Sequence, residues 1–354
     1  METTQPNVAE QGWLHPAAGR AEGLAWRGVR ALSSLRLTLA VLLALAAGVV
    51  LALKGQGPPT WPLLAPLGLL SANLLAAIAI HPAFRRQGAL LVFHLALLAI
   101  VALVALGRLT YLKGHVELSQ GELFTGHLTD HEAGPWHAWG LRAVRFRNEG
   151  FTIDYLPGRQ RDHTFNRIAT VEADGRRREV IIGDQVPLVL DGYRFYTTFN
   201  KGFALTFDWL PRQGPPVRGT VHLPAFPTQE SRQANTWTPP GAAGELWVQL
   251  QFDEALLDPR GAAHFRTPGS HRVVVRTGER RAVLTPGQSL ALPDGRLVYQ
   301  GVGTWMGYKV FYDWTIPWLL AACVVAVASL GWHLWRKCTA RPWQLQVGDS
   351  VEAP

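Results

Sequence analysis

The sequence predicts an integral membrane protein with four transmembrane α-helices. A large all-β, sandwich-like extracytoplasmic domain is expected between the third and fourth helices. Three observations predict this. Four stretches carry the ~20 consecutive apolar residues that a ~30 Å hydrocarbon core requires. Lysine and arginine gather at alternate ends of those stretches. The long segment after the third stretch is patterned as short alternating strands.

The apolar stretches fall at about 35–53, 61–80, 89–107 and 314–335. The first is almost pure Leu, Ala and Val, a composition that no amphipathic surface helix has. It is too long for a removable signal peptide and lacks a clear small-x-small cleavage site. Pro62 and Pro66 fall in the first turns of the second span, where a missing N–H is tolerated, and Pro317 does the same for the fourth.

Orientation follows from the cations near the span ends. Arg20, Arg27, Arg30 and Arg36 lie at the N-terminal approach, Arg85 and Arg86 in the loop HPAFRRQG, and Arg336, Lys337 and Arg341 after the last span. Only Lys54 stands between the first two spans, in KGQGPPT. Residues 1–34, the second loop and residues 336–354 are therefore expected in the cytoplasm, and 108–313 across the membrane. In a bacterium this means the inner membrane, with the large domain in the periplasm.

The exported segment reads as β almost throughout. LRAVRFR, FTIDYL, HTFNRIATVEA, REVIIG, YRFYTTFN, FALTFDWL, LWVQLQFD, HRVVVRTG and GRLVYQGVG are short, alternating and rich in β-branched or aromatic residues. Turn chemistry separates them at Ala173-Asp174-Gly175, Asp191-Gly192 and Pro293-Asp294-Gly295. PRQGPPV and TWTPPGAAGE are expected as surface loops.

Cysteine use narrows the chemistry. Cys323 lies in the fourth span and Cys338 in the tail, so the exported domain forms no disulfide and runs no thiol exchange. No C-x-x-C-H haem attachment site exists. The net charge of +8 is shared between the membrane anchors and Arg-rich hairpins such as Gly175 to Glu179 and Arg276 to Arg281. A solvated basic face explains these better than attraction to anionic lipid or an acidic partner, and nucleic acid is excluded outside the cytoplasm. No G-x-S-x-G elbow, H-E-x-x-H pair, phosphate loop or dinucleotide fingerprint is present.

Twelve histidines remain, eight of them in the exported segment: His115, His127, His131, His137, His163, His222, His264 and His271. His127, His131 and His137 approach metal-ligand spacing. They sit in a Gly/Pro/Trp loop without a cysteine, which reads as a solvated loop before a metal site.

His94 differs because it lies inside the third span. Counting from Arg86 at ~1.5 Å per residue puts it about 12 Å along the helix, on the cytoplasmic side of the midplane. An ionisable side chain there is costly and needs a partner. Its neighbours Leu90, Leu91, Leu97 and Leu98, with Phe93, form an apolar wall. A neutral imidazole among such groups suits a haem iron. It equally suits a structural histidine donating a hydrogen bond to another span's carbonyl. A proton relay is a weaker third reading, since the spans carry no carboxylate at membrane depth.

The basic loop, the FHL start of the third span and the exit GRLTYLKGHVELSQGE resemble the ResB/CcsB family of cytochrome c biogenesis proteins. So does IGDQVPLVLDGYRFYTTFNKGFAL, which places Pro187, Gly192, Tyr193, Phe195 and Tyr196 in a family pattern. The close from Tyr308-Lys309-Val310 to Asp313, followed by a final span, is similar too. The resemblance runs from about Leu32 to Lys337.

The resemblance implies one half of a haem export and cytochrome c synthetase machine, non-catalytic alone, whose other half is a ResC/CcsA-type membrane protein. Haem is the cofactor carried and apocytochrome c its acceptor. His94 maps to one axial haem ligand, with Phe93, Leu90, Leu97 and Leu98 as its pocket. The partner supplies the second intramembrane histidine and a Trp-rich external segment that this chain lacks. Many relatives carry a cysteine near the end of the second span. Here NLLAAIAIHPAF has none, and His81 stands just beyond. The alternative is a membrane-anchored assembly module, or a transporter subunit, in which His94 is structural.

Overall fold

A computed structural model describes residues 17–54, 60–171, 176–258 and 260–339. The chain divides into two compact units, 1–109 with 314–354, and 110–313.

The first unit is helical. Its elements are α1 (Ala17–Leu32), α2 (Leu35–Leu53), α3 (Thr60–Ile80), α4 (Pro82–Arg86), α5 (Gly88–Thr110) and α6 (Ile316–Thr339). Of these, α2, α3, α5 and α6 are long and apolar enough to cross a membrane. The last two outrun their apolar cores, because Arg108 and Arg336 continue a helix as readily as leucine does. Arg341 lies outside the described residues. Helix α1 is an addition to what the apolar runs revealed. Its arginines interleave with apolar residues at helical spacing, which hydropathy averaging conceals.

Two contacts tie these helices together. Pro66 lies inside α3 rather than in its first turn, since the helix already begins at Thr60. Its missing N–H leaves the Pro62 carbonyl without its usual helical donor. That carbonyl faces α2 at Gly48, where an added Cβ would strike it. Further along α3, the buried Asn73 donates to the Leu32 and Ser34 carbonyls and accepts from Thr38 Oγ1 at 2.8 Å. One amide thus pins the α1–α2 turn, and paired polar groups are what an apolar medium tolerates.

The second unit is all-β. In chain order it begins with β1 (Leu112–Ser119), β2 (Leu123–Phe124), β3 (Asp130–Ala133), β4 (Phe146–Leu156), β5 (Gln160–Val171) and β6 (Arg177–Gly183). There follow β7 (Leu188–Leu190), β8 (Tyr193–Pro211), β9 (Val217–His222), β10 (Ala234–Trp237) and β11 (Leu246–Gln251). The last are β12 (Ala263–His264), β13 (Arg272–Thr277), β14 (Arg280–Leu284), β15 (Ser289–Leu292) and β16 (Gly295–Tyr312).

They make three antiparallel sheets. A seven-stranded sheet runs β3-β1-β16-β8-β7, with β15 on β16 and β9 on β8. A four-stranded sheet runs β10-β11-β13-β14, and a five-stranded one runs β12-β4-β5-β6 with β2 on β4. Leu112 pairs with Tyr312, so the chain enters and leaves this unit on neighbouring strands.

Several strands depart from the expected pattern. LRAVRFR opens in a 3-10 turn over Gly140–Ala143, and extended structure begins only at Phe146. YRFYTTFN and FALTFDWL are one long strand, β8, because Lys201 and Gly202 pair with Met306 and Trp305 of β16 and pairing resumes at Thr197 across an irregularity. Asp191 and Gly192 both have positive φ, 49° and 82°, and close the β7–β8 hairpin as expected of Asp-Gly. The expected turn at Ala173-Asp174-Gly175 lies outside the described residues.

The core is aromatic. Phe124, Phe146 and Phe195 meet at ring separations of 4.9 to 5.3 Å, and Phe203 stacks on Phe265 at 5.2 Å. Within it lies a polar chain: Tyr308 donates to Asn166 Oδ1 at 2.7 Å, and Asn166 donates to Asn148 Oδ1 at 2.8 Å. Asn148 also accepts from the Gly150 amide at 3.0 Å, which holds the irregularity in β4. Burial pushes the Tyr308 phenol far above its ordinary range, with the Asn166 bond opposing weakly.

Candidate functional site

His94 occupies the second turn of α5, half-buried, with Leu90, Leu91, Leu97 and Leu98 three and four residues away on the same face. Its Nδ1 lies 2.8 Å from the Leu90 carbonyl oxygen of its own helix. A carbonyl only accepts, so Nδ1 carries the proton and Nε2 keeps its lone pair. Among the described residues Nε2 makes no hydrogen bond. The expected alternative of a bond to another span's carbonyl is therefore not the arrangement found.

Aromatic edges flank the imidazole. Phe93 meets it at 5.2 Å and 89°, and Phe84 at 4.6 Å and 65°. Local chemistry explains how Phe84 gets there. His81 precedes a proline and is held extended at φ −77° and ψ 118°. Pro82 then starts the short α4, and Gln87, non-helical at φ −125° and ψ 86°, breaks it before α5. This double break folds Phe84 back onto α5, where it is buried. His81 itself is exposed and sits 6.4 Å from the Phe84 ring. Phe84 was readable as the one aromatic in a basic loop, but nothing in its spacing linked it to His94.

His333 is a second histidine in the long helices, half-buried in α6 three residues before Arg336. It stands at a charged helix end, two residues before Trp335, and so does not stand out from its surroundings as His94 does.

Most exported histidines have structural partners. His115, His163 and His264 each place Nδ1 2.8 Å from a surface aspartate, Asp130, Asp162 and Asp154 respectively. His271 Nε2 lies 2.9 Å from the Tyr299 hydroxyl, and burial lowers the affinity of this imidazole for a proton.

The loop carrying His127, His131 and His137 is only partly solvated, which corrects the expectation. His127 and His131 are exposed, whereas His137 is buried. Its Nδ1–H donates to the Thr110 carbonyl at 2.8 Å, and Nε2 accepts from the Tyr193 hydroxyl at 2.9 Å. Burial raises the Tyr193 phenol above its ordinary value. Among the described residues no cluster of three or more His, Cys, Asp or Glu is placed to hold a metal ion. The family-like residues around it are structural: Phe195 is fully buried, Tyr193 caps His137 and Gly192 makes the hairpin turn.

Residues 77–243 match the model of the ResB-like family, a stretch that contains His81, Phe84 and His94. No curated protein matches the chain. Among solved structures the chain is similar to one described as "Cytochrome c Heme Lyase CcmF", at 14% identity and a TM-score of 0.28, over 90% of this chain and 40% of that one. The chain thus spans less than half of that structure's length, and a likeness at this TM-score carries no argument about fold. The likeness of this chain to the ResB-like family thus rests on residues 77–243.

Proposed function

We propose that this chain acts in cytochrome c biogenesis as the ResB-type subunit of a complex that carries haem outward across a bacterial inner membrane. One observation carries the reading: in the ResB-like segment, the His94 proton is committed to Leu90 and the Nε2 lone pair is left open. A metal-ligating histidine characteristically donates its other N–H to a carbonyl in this way. The surroundings are apolar, and the Phe84 and Phe93 edges restrict how the ring can turn.

The residues present fit half of a haem site. His94 would hold one axial position, with Phe93, Leu90, Leu97 and Leu98 against the macrocycle. Haem, when bound, would supply an iron centre able to take a further protein ligand. That ligand would come from a ResC/CcsA-type partner, which would also carry the face where apocytochrome c thiols react. Residues 110–313 would lie in the periplasm and both termini in the cytoplasm, as the cation distribution favours. This chain alone would not form the thioether bonds.

The test is spectroscopic and genetic. The full chain purified with its partner is expected to show a low-spin haem Soret band. His94→Ala should lose both the band and cytochrome c maturation, and His94→Gly should regain them with added imidazole. A His94→Ala complex that keeps its haem and still matures cytochrome c would overturn the assignment.

A further inference from the structure

A second constellation lies in the β unit, on the face of the seven-stranded sheet where β1 and β9 approach. His222 ends β9, and Glu117 and Ser119 stand two residues apart on β1, on one face of the strand. His222 Nδ1 is 3.1 Å from Glu117 Oε2, and Nε2 is 2.9 Å from Ser119 Oγ. A carboxylate accepts only, so Nδ1 carries the proton and Nε2 accepts from the serine hydroxyl.

The imidazole is held in place. It stacks on the Trp305 indole at 4.8 Å with the planes 4° apart, and Trp305 is fixed by its bond to the Leu223 carbonyl at 3.0 Å. Glu117 is held through its other oxygen by Asn200 Nδ2 at 2.8 Å. Asn235 Nδ2 donates to the His222 carbonyl at 2.7 Å. Glu117, Ser119 and His222 line an open cleft of about 690 Å³, together with Gln120, Arg218 and Thr220. Nothing in the haem reading uses this cleft.

We propose that Ser119 is an activated nucleophile, with His222 as its base and Glu117 as the orienting carboxylate, and that the cleft takes an acyl group from an ester. The roles follow from the hydrogen-bond order, nucleophile to base to orienting acid. Ser119 Oγ forms a bond to the ester carbonyl carbon while its proton passes to His222 Nε2. The alcohol departs with that proton as the C–O bond breaks, leaving an acyl-serine. Water then attacks, its proton going to Nε2, and releases a carboxylic acid and the free serine.

The arrangement restricts the substrate. The backbone amides of Ser119, Gln120 and Gly121 already donate to Glu122, Thr304 and Asn148, so none is free to hold an oxyanion. The cation facing the cleft is Arg218, held to Asp208 at 2.8 and 3.2 Å. Without preorganised amide donors an acyl-transfer site loses ~10²–10³ in rate. Esters with good leaving groups are therefore in range and peptide bonds are not.

The test uses the full chain in detergent with a biotinylated fluorophosphonate, which reports activated serines. Labelling is expected at Ser119 by peptide mapping and absent from Ser119→Ala. It should slow at least ~100-fold in His222→Gln, because a general base contributes ~10²–10⁴. Should His222→Gln fail to fold, Glu117→Gln is the second variant, which removes the carboxylate charge beside His222 Nδ1 and is expected to slow labelling at least ~10-fold. Wild-type protein that labels no faster than Ser119→Ala overturns the proposal. A folded Glu117→Gln that labels at the wild-type rate does so too.

Discussion

The Phe84 ring stands edge-on to the His94 imidazole, with centroids 4.6 Å apart and planes at 65°. The two residues come from consecutive elements, α4 and α5, and the break at Gln87 is what lets them meet. If His94 ligates haem, Phe84 sets the angle of the ligand ring. Phe84→Leu keeps the apolar wall and removes the edge contact, an interaction of ~0.5–1.5 kcal/mol. Haem affinity of the purified complex should fall ~2- to 10-fold with the Soret band retained. Unchanged affinity would leave Phe84 as packing alone.

Gly48 of α2 faces the Pro62 carbonyl of α3 with no room for a Cβ, and the prediction there is steric. Gly48→Val should lower the thermal stability of the detergent-solubilised chain, in keeping with the ~1–3 kcal/mol of overpacking. Gly68→Ala in α3 is the control, since a Cβ there meets no atom within 4 Å. Equal tolerance of both substitutions would show that the two helices are not packed this way.

Asn73 is the polar tie of the α1–α2 turn. Asn73→Leu removes its donors to Leu32 and Ser34 and leaves Thr38 Oγ1 with the Ser34 carbonyl as its remaining acceptor, at 3.3 Å. Buried polar contacts in membrane helices are worth ~0.6–2 kcal/mol. Amide exchange at Ser33 and Ser34 should accelerate while the middle of α2 stays protected. Unaltered exchange at the turn would show that apolar contacts alone hold it.

Lys201 provides a pH test in the β unit. It is 3% exposed and its ammonium donates to Thr164 Oγ1 at 3.0 Å. Burial, aided by the Arg161 guanidinium and opposed by Asp184, pushes it down to about 8. In the unfolded chain it binds its proton up to the ordinary lysine range, so between the two values the unfolded state holds more protons. Stability of the β unit should therefore rise as pH goes from about 8 toward 10, by at most about 3 kcal/mol. Lys201→Met should raise stability at pH 7 and flatten this slope. Circular dichroism of the full chain across denaturant at each pH would decide it, and a slope unchanged in Lys201→Met would refute the assignment.

How much of this was legible in the sequence depended on the range of the interaction. The apolar spans, the Asp191-Gly192 turn and most strands were readable because periodicity and turn chemistry act within a few residues. His94 stood out for the same reason, as a titratable group against a uniform background. The 3-10 turn at Gly140–Ala143 and the fusion of two short strands into β8 were not readable. Pairing with β16 settles the second, and β16 begins more than eighty residues after Gly202.

By itself the sequence determined that the chain carries four membrane-length apolar helices, a large β-rich segment and one histidine among leucines. It also carried the likeness to ResB proteins. Which histidine nitrogen is free follows from a side-chain rotamer within α5, which brings Nδ1 to 2.8 Å from a carbonyl one helical turn away, whereas tertiary structure decided the longer-range contacts. It decided that Phe84 faces His94, that His137 is buried against Tyr193, and that Glu117, Ser119 and His222 converge. The first of these spans ten residues and the last about a hundred, and both are closed by packing. No local pattern encodes such contacts, since they are made only when distant elements share a core.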